Sequence, residues 1–195
     1  MVLRSRSSRL LICVASVAAL ALSGCSVGSG EESAPSPSSA PDSGDSEVED
    51  PRDAAGVPPC SLVKPQDIAA LGLLPEGEVQ PDELDPSLPD NCTWKSDRGD
   101  KYVAISVLPG RSLQIYRDNE DSYVDYSEGV IAGHPAIQAN NDRPENGSCG
   151  VYLATKEDQI LFSFAADVTV GEVHDPCSLA KRALEASVPT LPAAE

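Results

Sequence analysis

Apolar positions crowd the start of the chain, almost vanish, and then return in short periodic groups. Leu10–Ala21 is apolar apart from Ser16. As a helix that run rises only about 18 Å, well short of the ~30 Å hydrocarbon core of a bilayer. Between Ser26 and Val57 the only large apolar residues are Val27, Val48 and Val57. A segment of Ser, Pro, Gly, Ala, Asp and Glu with so little to bury does not offset its conformational entropy, which predicts a disordered tether.

Periodicity resumes at Pro58. Leu62, Ile68 and Leu71 mark a short helix, with Pro65 suited to its first turn and Gly72 to its end. Cys92–Ser96 reads as a strand and Asp97–Asp100 as a turn. Tyr102–Leu108 alternates, placing Val103, Ile105 and Val107 on one face, and completes a hairpin. Ser112 to Asn119 suits a second helix with Leu113 and Tyr116 inward. A further strand within Val130–Ala139 centres on His134–Ile137. Cys149–Thr155 and Gln159–Ala166 form a second hairpin across Lys156, Glu157 and Asp158. Asp175 caps a last helix, with Pro176 at its first position and Ala180, Ala183, Leu184 and Val188 as its apolar stripe. Strands arriving as hairpins between helices predict an α+β fold: an antiparallel sheet of about five strands, with N- and C-terminal helices against it.

The short apolar run changes meaning once its flanks are included. Arg4, Arg6 and Arg9 precede it without an acid, as in the basic region of a signal peptide. It ends in Leu22-Ser23-Gly24-Cys25, which resembles a bacterial lipobox. The resemblance implies a thioether-linked lipid on Cys25 after cleavage behind Gly24. Three segments follow: a signal peptide (1–24), a lipidated cysteine with an acidic tether (25–57), and one extracytoplasmic domain (58–195).

Net charge is −17, and removal of the arginine-bearing signal makes the mature chain more acidic still. Binding to nucleic acid needs the opposite balance, so that partner class is excluded. The partners that remain are the membrane, through Cys25, and an envelope protein, glycan or lipid.

The domain carries Cys60, Cys92, Cys149 and Cys177. An even cysteine count on an exported chain reads as disulfides, and no C-x-x-C spacing supports zinc. In the expected layout Cys60 and Cys177 open helices, whereas Cys92 and Cys149 open strands. Joining each helix start to its nearest strand start gives Cys60–Cys92 and Cys149–Cys177.

Several pieces in order resemble an actinobacterial lipoprotein family of unknown function, domain family 3558. They are Pro59-Cys60-Ser61-Leu62-Val63 with Pro65, then Cys92-Thr93-Trp94, Ile131-Ala132-Gly133-His134-Pro135-Ala136, Cys149-Gly150-Val151, and Asp175-Pro176-Cys177-Ser178-Leu179-Ala180. Lys64 departs from the polar cap such proteins tend to carry before the proline. The resemblance implies a surface lipoprotein and brings no catalytic residues, cofactor or metal.

The residues themselves add little chemistry. The two histidines, His134 and His174, have no G-x-S-x-G nucleophile elbow to serve. Asp118-Asn119-Glu120-Asp121, with Asp125 nearby, lacks the spacing and glycine of a calcium loop. Tyr116, Tyr123 and Tyr126 are candidates for the rim of a binding face, with core packing as the competing reading. The expectation is a membrane-anchored, non-catalytic binding or accessory module, with an envelope hydrolase of unrecognised active site as the alternative.

Overall fold

The computed structural model describes residues 48–81, 86–169 and 175–195. Cys25, the signal segment, most of the tether and His174 lie outside these residues. No helix among the described residues is long and apolar enough to cross a membrane.

Seven strands form one antiparallel sheet: β1 (Glu78–Gln80), β2 (Asn91–Lys95), β3 (Lys101–Pro109), β4 (Asp125–Ile131), β5 (His134–Asn140), β6 (Ser148–Lys156) and β7 (Gln159–Asp167). Their order across the sheet is β1-β2-β3-β7-β6-β5-β4. Two meanders, β1-β2-β3 and β4-β5-β6-β7, are thus joined along β3 and β7. These two pair over their full length, from Lys101 opposite Asp167 to Pro109 opposite Gln159.

The helices are α1 (Pro65–Ala70), α2 (Gln114–Arg117) and α3 (Pro176–Ser187). Asp175 caps α3 by accepting from the Ser178 amide at 2.9 Å, which satisfies one of the helix's orphan donors. Its stripe is sealed: Ala180, Ala183 and Leu184 are fully buried. Lys64 caps α1 without a side-chain hydrogen bond.

Alternation along the strands sends side chains to two apolar layers. The first face, toward α1 and α3, holds Trp94, Val103, Ile105, Val151, Leu153 and Leu161. The second face holds another cluster around Leu108, Leu113, Tyr116, Ile137 and Ile160. Cys60 is bonded to Cys92, tying a 3-10 turn (Pro59–Ser61) to β2, and Cys149 is bonded to Cys177, tying β6 to the first turn of α3.

Three expectations are corrected. The sheet has seven strands rather than about five. The missed β1 is a three-residue, fully exposed edge with no periodic signal to read. The single strand expected in Val130–Ala139 is two, β4 and β5, folded over Ala132 and Gly133. Both turn residues have positive φ, 50° and 84°, as a tight two-residue hairpin of primed type requires. Alanine occupies a position where Asn or Gly would have announced the turn.

The N-terminal staple is also not the start of a helix: Cys60 sits in the 3-10 turn, and the helix that follows has six residues. Finally, the domain reaches back beyond Pro58. Residues 48–57, read as tether, lie along its surface as a strap. Arg52 bridges Ala193, the Arg52 amide donates to Thr155 O (2.8 Å), and the Ala54 amide donates to Gln159 Oε1 (2.7 Å). Composition does not reveal this docking because long-range backbone hydrogen bonds, rather than local apolar content, make it.

Candidate functional site

The second face of the sheet collects the aromatic side chains. Tyr102 and Phe164 lie 6.1 Å apart, on β3 and β7. Phe162 stacks on Tyr152 at 4.5 Å, Tyr152 meets Tyr116 at 4.0 Å, and Tyr116 leads through Tyr123 to Tyr126 at 6.5 and 6.2 Å. All five tyrosines and both phenylalanines of the chain take part, whereas the one tryptophan, Trp94, is buried on the first face. The pleat explains the sorting: Tyr102 alternates with Val103, and Phe162 and Phe164 alternate with Leu161, Ser163 and Ala165.

The row changes character along its length. At one end α2 and Tyr123, which follows a 3-10 turn (Glu120–Ser122), pack on the sheet, and Tyr116 is buried. Tyr126 donates to Glu128 Oε1 at 2.9 Å, and Glu128 also accepts from Arg117 Nε at 3.0 Å. Burial, reinforced by Glu128, pushes the Tyr126 hydroxyl up to about 12. Burial likewise raises Tyr116 and Tyr152. These phenols stay protonated at neutral pH, so they serve as rings and hydrogen-bond donors rather than as bases.

At the other end the face is open. A trough of about 420 Å³ runs over β2, β3 and β7. Its floor is made of small side chains, Ala104 and Ser106, and its sides include Tyr102, Phe162, Asn91 and Thr93. The Thr93 hydroxyl donates to Asn91 Oδ1 at 3.3 Å. Lys95 reaches Glu78 at 2.7 Å beside the trough, and that contact holds the Glu78 carboxyl below its usual range.

Elsewhere the sequence candidates separate. His134 is buried, with Nδ1 3.0 Å from Ala154 O, and helps fasten β5 to β6. Asp118 accepts from Gln114, while Asp125 accepts from Gln138 and Asn140, so the acidic run and Asp125 do not converge. Asp125, Cys149 and Cys177 do cluster, but both sulfurs are spent in the disulfide and offer no thiolate to a metal.

Of the expected tyrosines, Tyr116 belongs to the core of the second cluster, and Tyr123 and Tyr126 pack around it. Tyr102, Phe162 and Phe164 are further members of the aromatic row, outside the candidates named from the sequence. For Tyr102 the signal lies in the strand itself: the positions that alternate with Val103, Ile105 and Val107 are Tyr102, Ala104, Ser106 and Leu108, three of the four apolar or aromatic, unlike a solvated face.

Fold and face together define a disulfide-stapled α+β domain with α1 and α3 on one side of its sheet and, on the other, an aromatic surface partly covered by α2. The family model for DUF3558, described as a protein of unknown function, matches residues 20–190, and the chain belongs to that family. No curated protein and no solved structure matches it.

Proposed function

We propose that this protein is a lipid-anchored lipoprotein on the outer face of the cell membrane, exported by its signal peptide, and that it works by binding rather than by turnover. The observation that carries the binding reading is the concentration of half-exposed rings beside an open trough. Aromatic side chains left partly in water on a rigid sheet provide large contact area at little conformational cost, as binding surfaces do. The anchoring reading rests on Leu22-Ser23-Gly24-Cys25 behind a basic, apolar leader. The acidic stretch between Cys25 and the strap then holds the domain away from an anionic membrane surface.

Membrane fractionation tests the anchor. Cys25→Ala is expected to move the protein from the membrane to the soluble or secreted fraction, and a variant that stays bound as tightly as the wild type defeats the assignment. Binding is tested by obstructing the trough. Ala104→Phe is expected to reproduce the phenotype of deleting the domain, with folding verified by melting temperature. If instead an intact trough is dispensable and His174→Ala in a stably folded protein reproduces the deletion, the hydrolase reading replaces this one.

A further inference from the structure

Resting on the binding reading, we infer that the trough over β2, β3 and β7 is a saccharide subsite that takes uncharged pyranose units of a polysaccharide chain. Three features of the trough select that chemistry. The first is the pairing of rings with small floor residues. Tyr102 and Phe162 stand beside Ala104 and Ser106, so a flat, ring-sized object can settle against an aromatic surface without displacing a side chain. The C–H-rich face of a pyranose is such an object.

The second feature is the nature of the polar groups. Asn91 and Thr93 are a neutral amide and a neutral hydroxyl, already linked to each other, and both can donate and accept. Sugar hydroxyls also donate and accept, so they match this pair. A hydrocarbon chain would cover these groups without offering them hydrogen bonds in place of those to water, which is unfavourable.

The third feature is charge. Lys95, the cation of the trough, is paired with Glu78, and the chain as a whole is strongly acidic. An anionic ligand therefore finds no free cation among the trough residues. The volume of about 420 Å³ falls in the usual small-ligand range of roughly 300–1,000 Å³. Because the trough is open rather than enclosed, it suits internal units of a chain as well as a terminal sugar.

The test uses the full chain in a sugar-free zwitterionic detergent, titrated with maltotetraose, mannotetraose and cellotetraose while amide resonances are followed by NMR. A hyaluronan tetrasaccharide supplies the charged comparison. At least one neutral tetrasaccharide is expected to give saturable shifts at Thr93, Tyr102, Ala104 and Phe162 at millimolar concentration or below, and the acidic one is expected to give none. Ala104→Phe is expected to abolish the shifts by filling the floor. Should that variant fail to fold, Tyr102→Ala, at a half-exposed position, is expected to weaken binding at least tenfold.

The inference is overturned if no neutral tetrasaccharide perturbs these residues, or if the shifts persist undiminished in a folded Ala104→Phe or Tyr102→Ala protein. Failure here is separable from failure of the binding reading. If sugars do not bind but folded Ala104→Phe still reproduces the deletion phenotype, the face binds something else and only the glycan assignment falls. If the folded variant leaves the phenotype intact, the binding reading of this face falls as well.

Discussion

At the scale of single residues, the least conspicuous position is Gly77. Its φ is not in the left-handed region, so the requirement for glycine is spatial. A Cβ there would collide with Cys92 Sγ and lie 2.6 Å from Trp94 Nε1. The segment before β1 therefore passes directly over the first disulfide and the buried indole. Gly77→Ala is expected to destabilise the domain by about 1–3 kcal/mol through overpacking. Denaturant melts of the variant check this, and an unchanged midpoint would show that the segment shifts freely. His134 teaches the converse lesson: a histidine is a natural place to look for chemistry, and this one is occupied by a backbone carbonyl in the interior.

At the scale of elements, the disulfides act where the sheet and its cover meet. Cys60 and Cys92 are 32 residues apart, and Cys149 and Cys177 are 28 apart. Loops of that length correspond to about 3–4 kcal/mol of unfolded-state entropy each in the chain-entropy model, which is large against a typical stability of roughly 5–15 kcal/mol. Replacing Cys149 and Cys177 together by alanine is expected to cost about 3 kcal/mol and to loosen α3 first. Hydrogen exchange of the α3 amides, compared with those of β3 and β7, measures the effect. Uniform loss of protection across both would show that α3 does not open separately. The helix itself was legible from its cap and stripe because each signal is local to a turn or two. The β4–β5 hairpin was not, because β4 is a mostly exposed edge strand without apolar alternation and Ala132 stands where Asn or Gly would mark the turn.

At the scale of the whole molecule, the strap joins the first described residues to the last. Asp53 is at its centre, accepting from the Ala55 amide, Gln159 Nε2 and Lys156 Nζ at 2.8, 3.0 and 3.1 Å. These bonds, led by the Ala55 amide, lower the Asp53 pKa below its model-compound value of 3.8. A carboxylate whose pKa is lowered by folding stabilises the docked state above its unfolded value, and that contribution is lost as pH falls through the folded value. Protection of the Ala54 amide, referred to the β3 and β7 amides and corrected for intrinsic exchange, is expected to decline below about pH 4. Asp53→Asn is expected to weaken protection at neutral pH, with the difference from the wild type vanishing as pH falls through the folded pKa of Asp53. An Ala54 amide equally protected at pH 3 and pH 7 would remove Asp53 from the latch.

What the sequence determined alone is whatever lies within a few neighbouring residues: the basic-apolar leader and its cysteine as a motif, the α3 cap and stripe, the two hairpins at β2–β3 and β6–β7, and the mixed α+β class. Pairing each cysteine with its nearest counterpart also led to the two bridges of the structure. What only the tertiary structure decided depends on residues far apart in the chain. Pairing of β3 with β7 makes one sheet of the two meanders and brings Tyr102 beside Phe164, which are 62 positions apart. The strap is held by Thr155, Gln159 and Pro192, none of them near it in sequence. The trough exists only because β2, β3 and β7 lie side by side, so that Asn91, Ala104 and Phe162 share one surface. Local composition records which residues can bury themselves, whereas a site of this kind is set by long-range strand order, and that order appears only when the sheet closes over its core.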